Sequence, residues 1–267
     1  MTPVLLWIVL VGALLALWRG PLWRGRDLPG VTREAPLALG HRGVRGPLAE
    51  NSMAAFRRAL DAGLDGIETD VQRTRDGALV LVHDDEVEGV RVIAATEREL
   101  AAVLPTLARL DELIALMRDT PGTLLNVELK TARGRAHALP GAVAAALRGS
   151  GIEDRVLVSS FDPLALARFR IAAPHIRTAY LWMDRPRVPW FLRTPWPAPW
   201  LHVDALHPEH AVVDAAMVAR AKARRLGLNA WTVNDADEIR RLEALGVDGI
   251  IGDDPELLRQ TIQGGSA

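Results

Sequence analysis

The chain has 267 residues, 32 basic against 33 acidic, no cysteine and 49% hydrophobic residues. The near-zero charge balance argues against a nucleic-acid partner, which needs a basic face to displace counterions from phosphates. With no cysteine there is neither a disulfide framework nor a thiolate metal site, and the apolar content is that of a folded domain; a barrel of about 250 residues is within range.

Residues 1–18 carry no charged side chain. As a helix they would span about 27 Å, close to the hydrocarbon thickness of about 30 Å. Trp7, Trp18 and Trp23 suit an interfacial belt, and Arg19, Arg24 and Arg26 follow. This pattern predicts a single-pass transmembrane anchor over 1–18. By the positive-inside rule the remainder then lies in the cytoplasm; export behind a cleaved signal peptide is the alternative. Residues 19–36, rich in Gly and Pro, read as a linker.

From residue 37 to 262, short apolar or β-branched runs alternate with amphipathic segments. Strands are expected at 37–41, 66–71, 79–83, 124–129, 155–160, 177–181, 203–207, 228–233 and 248–252. Helices are expected at 52–62, 107–118, 135–149, 162–172, 214–226, 235–245 and 254–262. Asp162-Pro163 and Asp254-Pro255 read as helix starts, and Gly63, Gly227 and Gly246 as stops. Repeated β–α units imply a parallel sheet, and eight of them close into a TIM barrel. The ninth strand is accommodated if 66–73 and 79–83 form a hairpin about Thr74-Arg75-Asp76-Gly77, rising above the second strand and returning His83 to the rim.

Strands buried on both faces should be apolar, yet ionisable residues mark several strand ends here. His41 and Arg42 follow the first strand. Glu68 and Asp70, two apart, share a face of the second, as Glu128 and Lys130 do on the next parallel strand. His83 ends the hairpin arm. Barrel enzymes hold their chemistry at these C-terminal strand ends. Three converging carboxylates, Glu68, Asp70 and Glu128, repel one another unless a divalent cation sits between them, and oxygen ligands favour Mg²⁺ or Ca²⁺. A phosphate ester flanked by Arg42 and Lys130 is the natural ligand, with His41 and His83 as acid and base. Ser159 and Ser160 lack a nucleophile elbow. The expected chemistry is metal-assisted phosphodiester hydrolysis.

Gly40-His41-Arg42-Gly43, Glu50-Asn51-Ser52, Gly66-Ile67-Glu68-Thr69-Asp70-Val71, His83-Asp84, Val127-Glu128-Leu129-Lys130, Trp231-Thr232-Val233-Asn234 and Gly246–Ile251 occur in this order. In this respect the chain resembles the glycerophosphodiester phosphodiesterase family, within the phosphatidylinositol-phospholipase-C-like phosphodiesterase superfamily. The resemblance covers about 37–262. It implies a TIM barrel with one divalent cation that hydrolyses glycerophosphodiesters to glycerol 3-phosphate and an alcohol. It also implies Glu68, Asp70 and Glu128 as metal ligands, His41 and His83 as the catalytic pair, Arg42 and Lys130 on the phosphate, and Trp231 lining the substrate pocket. Two departures stand out. Ala49 replaces the proline usual before Glu-Asn, and Asp85–Arg91 replaces an Arg-Thr-Thr segment, which bears on the leaving group.

Residues 184–201 hold Trp190, Trp196 and Trp200 among prolines and arginines. Such a loop over the rim could meet a lipid interface together with the N-terminal anchor, or pack as a lid. With these features the alternatives are a membrane-associated lysophospholipase D acting on lysophospholipids, and an inactive barrel that binds membrane phosphate esters.

Overall fold

A computed structural model describes residues 3–18, 23–28, 35–46, 48–131, 138–186 and 193–264. Its elements run α1 (Pro3–Trp18), β1 (Leu37–Gly40), α2 (Met53–Asp61), β2 (Gly66–Arg73), β3 (Leu79–Leu81), β4 (Glu86–Val87), β5 (Val90–Arg91), α3 (Glu97–Val103), β6 (Ala108–Arg109), α4 (Leu110–Asp119) and β7 (Leu124–Leu129). They continue with α5 (Leu139–Leu147), β8 (Val156–Ser160), α6 (Pro163–Ala172), β9 (Arg177–Trp182), α7 (Ala198–Leu201), β10 (Ala205–Pro208), α8 (Ala215–Ala223), β11 (Gly227–Ala230), α9 (Ala236–Leu245), β12 (Gly249–Gly252) and α10 (Pro255–Gly264).

Eight strands, in the order β1-β12-β11-β10-β9-β8-β7-β2, pair in parallel, and a β1–β2 pairing closes the ring. Each β–α unit begins and ends on local signals. Ser52, Asp162, Asp214 and Asp235 accept hydrogen bonds from backbone amides in the first turns of α2, α6, α8 and α9, satisfying donors the helices leave open. Gly246, at φ 78°, ends α9 in the left-handed region that glycine tolerates. The strands' outer faces and the helices form the main core, with Phe56, Leu113, Phe169 and Leu258 fully buried.

Beyond Val71 the second strand leaves the ring and pairs antiparallel with β3, Val71 opposite Leu81 and Arg73 opposite Leu79. This is the hairpin expected from the turn residues. β3 also pairs with β6, and Val80, Val82, Val92, Ala95 and Leu100 make a second small core beside the barrel. Neither α3 nor the short strands of this excursion were expected from periodicity.

The N-terminal expectations need correction. α1 has 16 residues, about 24 Å at 1.5 Å per residue, against a hydrocarbon core of about 30 Å. Among the described residues no helix is long and apolar enough to cross a membrane, so the transmembrane anchor over 1–18 is not supported. Val4 to Val11 lie exposed along α1.

Within the expected linker, residues 23–28 pack across the base of the barrel, at the N-terminal ends of the strands. Arg26 grips the fully buried Asp204 carboxylate through Nε (2.9 Å) and Nη2 (2.7 Å) and donates to the carbonyls of Pro174, His175 and Ile176. Trp23 stacks on His202 at 4.4 Å and donates to Val203 O. Leu28 enters the barrel's interior beside Leu157, Ala179 and Ala205. The space for it exists because residue 227 is glycine: a Cβ there would stand 2.4 Å from Leu28 Cδ1. In the 184–201 loop, Trp190 and Phe191 lie outside the described residues; Trp196 is exposed, and Arg185 pairs with Glu209.

Candidate active site

Inward-facing positions follow from the register. Glu68 lies opposite Asn126 and Asp70 opposite Glu128, so alternate residues of β2 and β7 present carboxylates to the same end of the barrel. Glu68, Asp70 and Glu128 are buried, with ligand oxygens all within 4.8 Å of one another. Burial, with the neighbouring carboxylates, pushes Glu68 well above the ordinary range and Glu128 up to about 7. Burial acts the same way on Asp70, but Lys130 and Arg42 outweigh it and hold that carboxyl below its usual value. Three hard oxygen donors crowded at the cost of two strained ionisations suit a divalent cation. This donor set fits Mg²⁺ or Ca²⁺ and offers no soft ligand.

The cations come from the same strand ends. Lys130 Nζ stands 3.1 Å from Glu128 Oε1 and 3.7 Å from Asp70 Oδ1. Arg42 follows β1 with φ 52°, a left-handed conformation costly for a side chain of its size. Its backbone amide donates to Glu68 Oε2 (3.0 Å), its Nε lies 3.2 Å from Asp70 Oδ2, and its Nη1 donates to Glu50 Oε1 (2.6 Å).

His41 Nδ1 lies 2.7 Å from Asp253 Oδ1, and its Nε2 is 4.0 Å from Glu68 Oε2. With Nδ1–H donated to the carboxylate, the lone pair of Nε2 faces the cleft. His83 Nδ1 is 2.7 Å from Asp84 Oδ1; burial and the Lys130 charge depress its pKa. Gln72 Nε2 donates to the carbonyls of Val82 (3.1 Å) and Asp84 (2.8 Å), which fixes the strand end that carries His83. Trp231 meets Phe161 edge-on at 5.4 Å, donates to His207 O, and lines a cleft with His41, Glu68, Asn126, Glu128, Leu181 and Ile251. Larger hollows of about 240 and 520 Å³ open at the base of the barrel. They lie away from the grouped carboxylates and histidines, and size alone does not locate chemistry.

The structure thus brings together all eight candidate residues at one end of the barrel, Trp231 forming the far wall. Besides Asp84 and Gln72, four partners had no role assigned from the sequence: Asp253, Asn234, Asn51 and Glu50. Asp253 holds His41 and is itself held by Asn234 Nδ2 (2.5 Å). Asn51, at φ 54°, donates to Asp70 Oδ2 (2.9 Å) while its Oδ1 accepts from Thr69 Oγ1 (2.8 Å) and Asp70 N. Glu50 holds Arg42. The usable signal for Asp253 was its place just after the last strand, which neighbours the first once the barrel closes.

Residues 41–257 match the family model described as the glycerophosphoryl diester phosphodiesterase family. The chain belongs to this family. It is similar to a glycerophosphodiester phosphodiesterase of Caldanaerobacter subterraneus subsp. tengcongensis, 31% identical over 248 residues that make up 86% of this chain and 98% of that one. A Bacillus altitudinis glycerophosphodiester phosphodiesterase is 33% identical over 237 residues, 81% of this chain and 94% of that one. Among solved structures, an Oleispira antarctica phosphodiesterase in complex with the product sn-glycerol-3-phosphate superimposes with a TM-score of 0.70 at 25% identity, covering 86% of this chain and 97% of that one. Enzymes of this family generally use a divalent metal, and the Glu68–Asp70–Glu128 cluster is where such an ion could be held.

Proposed function

We propose that this chain is a phosphoric diester hydrolase that cleaves glycerophosphodiesters to sn-glycerol 3-phosphate and an alcohol. The observation that carries the reading is the convergence of three buried carboxylates, two cations and two histidines at one barrel mouth, in a chain of this family. Glu68, Asp70 and Glu128 would hold one divalent cation, Mg²⁺ or Ca²⁺, which would supply Lewis-acid neutralisation of the phosphate's negative charge. Arg42 and Lys130 bind those oxygens from either side and stabilise the charge that builds as the bond breaks. Nε2 of His41, its ring fixed by Asp253, and His83, fixed by Asp84, carry the two proton transfers: one from the attacking oxygen, one to the departing alkoxide. Trp231, braced edge-on by Phe161, gives the cleft an apolar wall with Leu181 and Ile251 and turns it toward the substrate's carbon skeleton.

The test is turnover of glycerophosphocholine and of lysophosphatidylcholine by the purified full chain with Mg²⁺ or Ca²⁺, beside Glu68→Ala and His41→Ala. Release of glycerol 3-phosphate from the first substrate, lost in both variants, is the expected result. Equal turnover in wild type and variants sinks the site assignment. Faster cleavage of the lysolipid turns the reading to a lysophospholipase D, and a folded, metal-loaded protein without turnover to a binding barrel.

A further inference from the structure

We propose that Arg45, outside the metal-binding and phosphate-binding groups, is a positioning residue that ties the phosphate-binding arm to the acid–base histidine. This rests on the reading of the site given above. Arg45 stands in the loop after β1. Its backbone amide donates to Asp253 O at 3.1 Å, its Nε is 2.6 Å from Glu50 Oε2, and its Nη1 is 3.7 Å from Asp253 Oδ2. Each of the two carboxylates it touches has its other oxygen on a site residue: Glu50 Oε1 on Arg42 at 2.6 Å, Asp253 Oδ1 on His41 at 2.7 Å. The order of contacts is therefore Arg42–Glu50–Arg45–Asp253–His41.

Glu50 is about one-third exposed and Arg42 is nearly enclosed, so Glu50 is the less confined member of their pair. A second arginine on Oε2 fixes the carboxylate plane and shares its charge. Without Arg45, Glu50 would neutralise Arg42 alone, in competition with a phosphate oxygen for the same guanidinium. At the other end Asp253 keeps Asn234 as a partner, but loses the cation facing Oδ2. One loop side chain thus acts on the grip on substrate and on the alignment of His41 together, and touches neither substrate nor metal ligand.

The experiment measures kcat, KM and the inhibition constant of sn-glycerol 3-phosphate, with glycerophosphocholine as substrate and melting temperature alongside. The full-chain variants are Arg45→Ala, Arg45→Lys, Glu50→Gln, the Arg45→Ala/Glu50→Gln double and Arg42→Ala. Arg45→Ala is expected to raise KM and the inhibition constant and to lower kcat, with kcat/KM down about tenfold, the scale of one charge-assisted hydrogen bond with a half-exposed partner. Arg45→Lys should recover most of the loss, and the double variant should lose less than the product of the singles. Wild-type kinetics in a folded Arg45→Ala, a lower melting temperature with both constants retained, or losses that multiply in the double each overturn the proposal. An inactive Arg42→Ala beside a silent Arg45→Ala leaves the site reading standing; if Arg42→Ala is silent as well, both fail.

Discussion

Residues 23–28 behave as part of the barrel, and two side chains measure how much. Asp204 is fully buried and takes five hydrogen bonds: from Arg26 N, Nε and Nη2, from Arg170 Nη1 and from Thr178 N. Arg26→Ala removes two of them, both charge-assisted, and leaves Arg170 as the carboxylate's remaining counter-ion. Stripping a partner from a buried pair costs about 3–5 kcal/mol. Arg26 is one-third exposed, so solvent screening brings the expected loss to about 2 kcal/mol. Leu28→Ala empties a site lined by Leu157, Ala179, Ala205 and Gly227, at about 2–3 kcal/mol, the low end for a Leu-to-Ala cavity because the base can admit water. For a chain of this size 1 kcal/mol moves the melting temperature by about 2–4 °C, so Arg26→Ala should lower it by about 4–8 °C and Leu28→Ala by about 4–12 °C. Urea unfolding of the full chain reads the free energies directly, and kcat should stay at the wild-type value, since the catalytic cleft is at the opposite end. If both variants unfold within about 0.5 kcal/mol of wild type, the segment is a passive tether and the packing argument is wrong.

Two more outcomes follow from the site. In the metal-free fold Glu68 and Glu128 bind protons that the unfolded chain has released by neutral pH. Their raised pKa values therefore make stability fall as the pH rises from the ordinary carboxylate range through about 7, while Asp70, with the opposite sign, acts only below its ordinary value near 4. Chelator-treated protein should accordingly melt lower at pH 8 than at pH 6, and Mg²⁺ or Ca²⁺ should raise the melting temperature more at pH 8; an equal gain at both pH values contradicts the cluster as the binding site. Asp253→Asn frees the His41 ring to adopt the wrong tautomer and should lower kcat by about a hundredfold, the low end for general acid–base catalysis, with little change in metal affinity. A kcat within about twofold of wild type would remove Asp253 from the machinery.

The barrel was legible because its strands are short apolar runs and its helices carry local caps. Five of the ionisable groups at the mouth were legible for a related reason: Glu68, Asp70 and Glu128 interrupt strands that burial would otherwise make apolar, and His41 and His83 end them. Partners supplied from distant sequence left less trace. Asp253 stands 212 residues from His41, and in Gly-Asp-Asp-Pro it is masked by the helix-start signal of Asp254-Pro255. Arg26 reaches Asp204 across 178 residues, from a Gly- and Pro-rich stretch whose composition is that of a linker. The excursion after β3 is built from strands of two residues, too short to show a period of two.

The docking of Trp23 sets a topographic limit. Four residues of chain, five Cα–Cα steps, separate it from Trp18, so the end of α1 stays within about 18 Å of Trp23 at the barrel's base. Arg42, Lys130 and the two histidines open at the other pole. The N-terminal segment is therefore fixed to the barrel at the pole opposite the cleft. Its docking closes over the floor and leaves the mouth with the carboxylates and histidines clear, so whatever residues 23–28 contribute to stability they contribute without narrowing the path to the cleft.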